Sequence, residues 1–177
     1  LPAAVALWLL ADPIIRVLFE RGRFLPEDTL RTASALAALA VGLPAFVLVK
    51  ALAPGFFARE DTRTPLYIAL AAITANVLLN VYFLFATSLE LVGIALASSL
   101  SGWLNAALLA AVLRRREQWI PDGRLISRGI RIAGASAGMG AALWFGLHWL
   151  ARPLSHADVE GGVALTGICL IGIAAYA

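Results

Sequence analysis

From Leu30 to Ala58, about 29 residues run almost without a polar side chain, interrupted by Arg31, a few small polar residues and one embedded cation, Lys50. A helix that is apolar on every side cannot sit on the surface of a soluble domain, and about 20 such residues suffice to cross a bilayer. An ammonium at mid-bilayer depth costs roughly 2.5 to 3.5 kcal/mol, so it is kept where it meets a bundle interior or an aqueous cavity. The run therefore predicts a membrane helix on a transport pathway. Composition agrees: 61% of residues are hydrophobic and 14% charged, with a mean hydropathy of +0.86, against about 25% charged in ordinary globular domains. The single Cys169 lies in another apolar stretch and offers no disulfide framework.

The pattern predicts an all-α integral membrane fold with six spans, at about 1–19, 30–58, 65–85, 91–113, 127–150 and 159–177. A polar hinge from Glu20 to Thr29 separates the first two, with Pro26 and Asp28 placed to start the second helix. Thr64 and Pro65 read as the cap and first residue of the third helix. Arg114, Arg115 and Arg116 end the fourth, and the linkers through Pro121 to Gly123 and Arg152 to Asp158 are short. Short turns predict that consecutive helices are antiparallel neighbours. The chain opens on Leu1 inside an apolar run and stops on Ala177 inside another, so it is expected to be a fragment, and no signal peptide is assigned.

Basic residues set the expected orientation. Arg59, Arg63, Arg114, Arg115, Arg116, Arg124, Arg128 and Arg131 fall on one side; Arg16, Arg21, Arg23, Arg31 and Arg152 fall on the other. The first group marks the expected cytoplasmic face. The high isoelectric point, near 9.6, is then a matter of topology and lipid headgroups and not of nucleic acid.

Two runs of small residues can bring helices close: Ser98, Gly102, Ala106 and Ala110, and the pair Gly134 and Gly138. Asn76 and Asn80 stand one turn apart on the third helix. With Ser98 or Ser101 they have the oxygens for a hard monovalent cation, or they serve as hydrogen bonds between helices, as Asn105 would. Lys50 has two readings as well. It can snorkel to the interface, or it can line a cavity where Pro44, Pro54 and Gly55 kink or break the helix around it.

The segment from Gly42 to Pro65, GLPAFVLVKALAPGFFAREDTRTP, closely resembles the MurJ/MviN family of lipid II flippases, whose members carry a stretch like VKVLAPGFYARQDTKTP. The opening pattern from Pro2 to Phe24 and the step Leu104-Asn105-Ala106 resemble the same family. The resemblance implies helices nine to fourteen of a fourteen-helix transporter of the multidrug/oligosaccharidyl-lipid/polysaccharide exporter (MOP) superfamily, residues 1–177 forming its C-terminal lobe with the N-terminal lobe missing. It implies that lipid II, the undecaprenyl-pyrophosphoryl disaccharide-peptide, is carried from the cytoplasmic to the outer leaflet of a bacterial inner membrane by alternating access, for cell-wall synthesis. A pyrophosphate leaving water must be paired with cations.

On this resemblance Lys50 is the cavity counter-charge, and Arg59, Glu60, Asp61 and Arg63 form a cytoplasmic gate where pairing between lobes opens and closes. The last two spans would form a groove for the lipid tail. The resemblance implies an Na+ site near Asn76 and Asn80, with a carboxylate that neither position carries here; Asn76, Asn80 and Ser98 are the candidate cation site of this chain. No other cofactor or metal is implied, and the partners are lipid II, membrane lipids and the missing lobe. The rival readings are another exporter of the superfamily, a membrane scaffold, or a lipid-sugar transferase. A cation exporter would want intramembrane carboxylates, and a transferase would want a convergent acid-base or metal set; His148 and His156 have only Asp158 and Glu160 close by.

Overall fold

The computed structural model describes residues 1–19, 25–87, 90–116, 123–149 and 166–167. Within them lie five long helices: α1 (Pro2–Phe19), α2 (Pro26–Phe57), α3 (Arg63–Ala86), α4 (Glu90–Arg115) and α5 (Gly123–Trp149). All five are long and apolar enough to cross a membrane. Apart from Thr166 and Gly167, the sixth expected span lies outside the described residues.

The helix starts follow turn chemistry more than apolar onset. α2 begins at Pro26, four residues before the apolar run, because the Asp28 carboxylate accepts the Leu25 N–H at 3.1 Å and Pro26 needs no donor in the first turn. α3 corrects the expected cap. Asp61, not Thr64, holds the helix start, its Oδ1 accepting the Thr64 N–H at 3.0 Å, while Pro65 sits inside the first turn where its missing N–H costs nothing.

α2 closes on Glu60, whose φ of 59° is left-handed. The Glu60 N–H donates to Phe57 O at 3.0 Å and the Asp61 N–H to Phe56 O at 3.2 Å. This is a Schellman pattern, in which glycine ordinarily takes the left-handed position. A side chain there costs about 1 kcal/mol or somewhat more. Glu60→Gly is therefore expected to raise the melting midpoint by a few degrees, and a lower midpoint in thermal unfolding would contradict the strain reading.

The expectation of a broken α2 is also corrected. The helix runs unbroken from Pro26 to Phe57 through Pro44 and Pro54, a length of about 48 Å at 1.5 Å per residue. Pro44 removes the helix's own donor to Ala40 O, and just beside that gap the Trp103 indole of α4 donates to Val41 O at 3.0 Å. Pro54 in the same way removes the helical donor for Lys50 O.

Lateral packing places the helices in the order α5, α1, α2, α4, α3. α2 makes its broadest interface with α4, and α2 and α3 scarcely touch, so consecutive helices are not neighbours throughout. α4 wedges between α2 and α3 because it is small-sided on two faces. Ala95, Ala97, Ser99, Gly102 and Ala106 are buried along it, and the Ser99 hydroxyl donates to Ala38 O at 2.6 Å. A Cβ on Gly42 would lie 2.5 Å from Ser99 Oγ and 2.9 Å from Ser99 Cα, so the two backbones meet where Gly42 has no side chain.

No described residue packs on the other expected small-residue pair. Nothing among the described residues comes within 4 Å of a Cβ on Gly134 or Gly138. α5 instead meets α1 through Met139, Leu143 and Leu10, with Gly140 against Val5.

Candidate functional site

Lys50 lies on the C-terminal half of α2, seven residues or about 10 Å before Phe57. There Val49, Leu52 and Phe56 turn toward Ile68, Leu109 and Leu113. The other face, Val47, Lys50, Ala51, Pro54 and Phe57, is exposed. That spacing of three and four marks one side of a helix, and among the described residues nothing covers it. Lys50 forms no hydrogen bond or ion pair among the described residues.

At the adjoining end of α2 the four expected gate residues separate. Arg59, Glu60 and Arg63 are exposed and make no ion pair among the described residues. Asp61 is engaged within the chain: its Oδ2 accepts from Arg116 Nη1 at 2.6 Å and from the Thr64 hydroxyl at 2.7 Å, while Arg116 Nη2 donates to Thr64 Oγ1 at 3.1 Å. The Thr64 N–H, then the Thr64 hydroxyl and Arg116, hold the Asp61 carboxyl down at about 2. A depressed carboxylate contributes stability above its ordinary value of 3.8 and loses it only as pH falls toward about 2, so the cluster stays charged at any physiological pH. In the sequence Arg116 stands only as one of the basic residues that set topology. Its neighbours Arg114 and Arg115 carry the same charge, and no pattern in the chain says which of the three turns to α3.

The amide pair on α3 is brought to α4 as expected. Asn80 Nδ2 donates to Asn76 Oδ1 at 2.8 Å, and Asn76 Nδ2 donates to Ser101 Oγ at 2.9 Å. Ser101, rather than Ser98, receives the amide; the Ser98 hydroxyl turns back to Ile94 O at 3.1 Å. Asn76, Ser98, Ser101 and Asn105 line an open cavity of about 390 Å³ together with Phe46 and Ile73, and Asn80 lies outside that lining. The buried oxygens Asn80 Oδ1 and Asn105 Oδ1 accept nothing among the described residues. Of these two oxygens, the one on Asn105 belongs to a residue that lines the cavity. Among the described residues no three His, Cys, Asp or Glu gather.

A row of long apolar helices, joined through backbone carbonyls and side-chain amides, with a cation on a bare face, defines a multi-pass membrane protein. The chain belongs to the lipid II flippase MurJ family, whose profile matches residues 1–158. It is 48% identical over 174 residues to a probable lipid II flippase MurJ of Rhizobium meliloti, covering 98% of this chain and 32% of that protein. A probable lipid II flippase MurJ of Vibrio cholerae is 37% identical over 176 residues, 99% of this chain and 33% of the relative. The lipid II flippase MurJ of Burkholderia cenocepacia is 30% identical over 178 residues, again 98% of this chain and 33% of the relative. The chain thus spans about a third of the length of the curated relatives it matches.

Proposed function

We propose that the protein to which this chain contributes carries lipid II from the cytoplasmic to the outer leaflet of the bacterial inner membrane for peptidoglycan synthesis, as a transporter and not an enzyme. The single observation that carries this reading is Lys50, a cation without a partner among the described residues, about 10 Å inside an unbroken apolar helix on a face that no described residue covers. A face of that kind turned to acyl chains would hold its charge at a continual cost, whereas a passing pyrophosphate repays it. The bare side of α2 then lines the path, and Lys50 binds and orients the headgroup. Arg59, Arg63, Arg114 and Arg115 stand at the cytoplasmic rim, where Arg59, Glu60 and Arg63 are available to pair with the other lobe. A MOP exporter of a different lipid-linked sugar is the second reading; the bare cation supports transport of either pyrophosphate lipid, and the likeness to lipid II flippases favours the first.

The deciding assay is leaflet-selective labelling of lipid II in cells depleted of the complete protein. Outward exposure is expected to fall as the precursor accumulates inside; unchanged exposure would sink the proposal.

The cation belongs to the same proposal. Na+ would be held by Asn76, Asn80 and Ser98, joined by Asn105, and would supply a fixed positive charge that braces α3 against α4. The support is the buried Asn105 Oδ1, without a partner among the described residues, on a residue that lines the cavity beside Asn76 and Ser98. At a concentration ten times its dissociation constant a bound ion adds about 1.4 kcal/mol. The complete protein is therefore expected to melt a few degrees higher in NaCl than in choline chloride of equal ionic strength, with the difference lost in Asn76→Leu. Identical midpoints for the wild type in the two salts would count against the site.

A further inference from the structure

Asp61, Thr64 and Arg116 close a ring of hydrogen bonds that joins three elements at one end of the bundle: the α2–α3 turn, the first turn of α3 and the residue just past the end of α4. Thr64 Oγ1 donates to the carboxylate and accepts from the guanidinium, so each member holds the other two. An exposed ion pair alone secures little. This one rests on a helix cap and on a buried apolar cluster directly inside it, Phe56, Ile68, Leu109 and Leu113, where a Cβ on Gly55 of α2 would lie 3.7 Å from Leu113. The ring matters because α2 and α3 hardly touch each other along their lengths. Their ends are set in register through α4.

Lys50 rides on the same unbroken helix, six residues or about 9 Å above Phe56. Whatever fixes the end of α2 against α3 and α4 therefore fixes where the ammonium stands. We infer that Asp61, Thr64 and Arg116 are a staple that stays closed throughout transport, and that Arg116 is a positioning residue for Lys50. The inference rests on the flippase reading and changes one part of it: Asp61 leaves the gate, and the opening and closing pairs are sought among Arg59, Glu60 and Arg63. The Thr64 and Arg116 hydrogen bonds that converge on the Asp61 carboxylate support this.

The test uses the full-length protein with its other cysteines replaced, Cys169 among them, and carrying Asp61→Cys with Arg116→Cys. Before cross-linking, outward exposure of lipid II is expected to fall several-fold below wild type. A short bismaleimide joining the two thiols is expected to restore it to within about twofold, the reach of the reagent standing in for the ion pair. A gate gives the opposite result: the cross-linked protein would be trapped and slower than the unlinked one, and the inference would be overturned. Activity equal to wild type before cross-linking would overturn it too.

Should the double variant fail to accumulate, Arg116→Gln and Arg116→Lys carry the question. Amide exchange at residues 61–66 is expected to speed up in Arg116→Gln and to stay closer to wild type in Arg116→Lys, while amides around Ser99 stay protected in both. Unchanged protection at residues 61–66 in Arg116→Gln would refute the staple. The exchange readout needs no substrate, so a wild-type protein that moves no lipid II would sink the flippase reading and leave the staple to be judged by exchange alone.

Discussion

Lys50→Leu in the complete protein is expected to lower outward exposure of lipid II more than tenfold while the protein still accumulates in the membrane; Lys50→Arg is expected to keep most of the activity. The side chain is exposed and makes no contact that the fold needs, so its removal costs no packing. What is lost is a charge facing a pyrophosphate. A single pair of unit charges at 4 Å is worth about 4 kcal/mol at an effective dielectric constant of 20, and each 1.4 kcal/mol is about tenfold in an equilibrium. The measurement is leaflet-selective labelling in cells whose only copy is the variant. A leucine variant that flips like the wild type would mean that Lys50 faces lipid or the water boundary, and that the charge has no part in the crossing. It would leave family membership untouched.

Gly42→Leu is expected to have the largest effect on stability. Its first side-chain atom would stand 2.5 Å from Ser99 Oγ and 2.9 Å from Ser99 Cα, and the second of these is backbone, which no rotamer change can move aside. α2 and α4 would have to part along their broadest interface, losing the Ser99 bond to Ala38 O and the Trp103 bond to Val41 O as they do. Overpacking of a tight contact costs about 1 to 3 kcal/mol, and each lost hydrogen bond adds about 1 kcal/mol. Gly42→Ala should show the smaller part of this and Ser99→Ala the cost of one bond alone. Thermal unfolding of the purified protein checks the series, and a Gly42→Ala midpoint equal to wild type would show that the helices pack less closely than described.

Five of the six expected spans correspond to described helices, with ends displaced by a few residues. The displacements share a cause. Hydropathy marks where a helix enters hydrocarbon, whereas the helix itself starts where its first N–H groups find acceptors, as Leu25 does with Asp28 and Thr64 with Asp61. The amide chain of Asn76 and Asn80 was legible because residues four apart on a helix share a face. That Ser101 and not Ser98 meets it was not legible, since both hydroxyls belong to the same polar stretch of α4 and only the roll of α4 against α3 chooses between them. The break expected around Pro44 and Pro54 is absent because a membrane helix can run on through proline, a tolerance that local sequence does not reveal.

Local chemistry within the chain was enough to mark a multi-pass membrane protein, five long apolar helices to within a few residues at their ends, and a lone cation carried on one of them, because apolar length, caps and charge act over a few residues. The tertiary structure alone decided which helices touch, that Gly42 must be bare, and that Arg116 closes on Asp61 across 55 positions of sequence. In hydrocarbon no hydrophobic force selects one apolar face over another, so partner choice rests on backbone approach and a few polar bonds between distant residues, and these exist only once the helices are side by side.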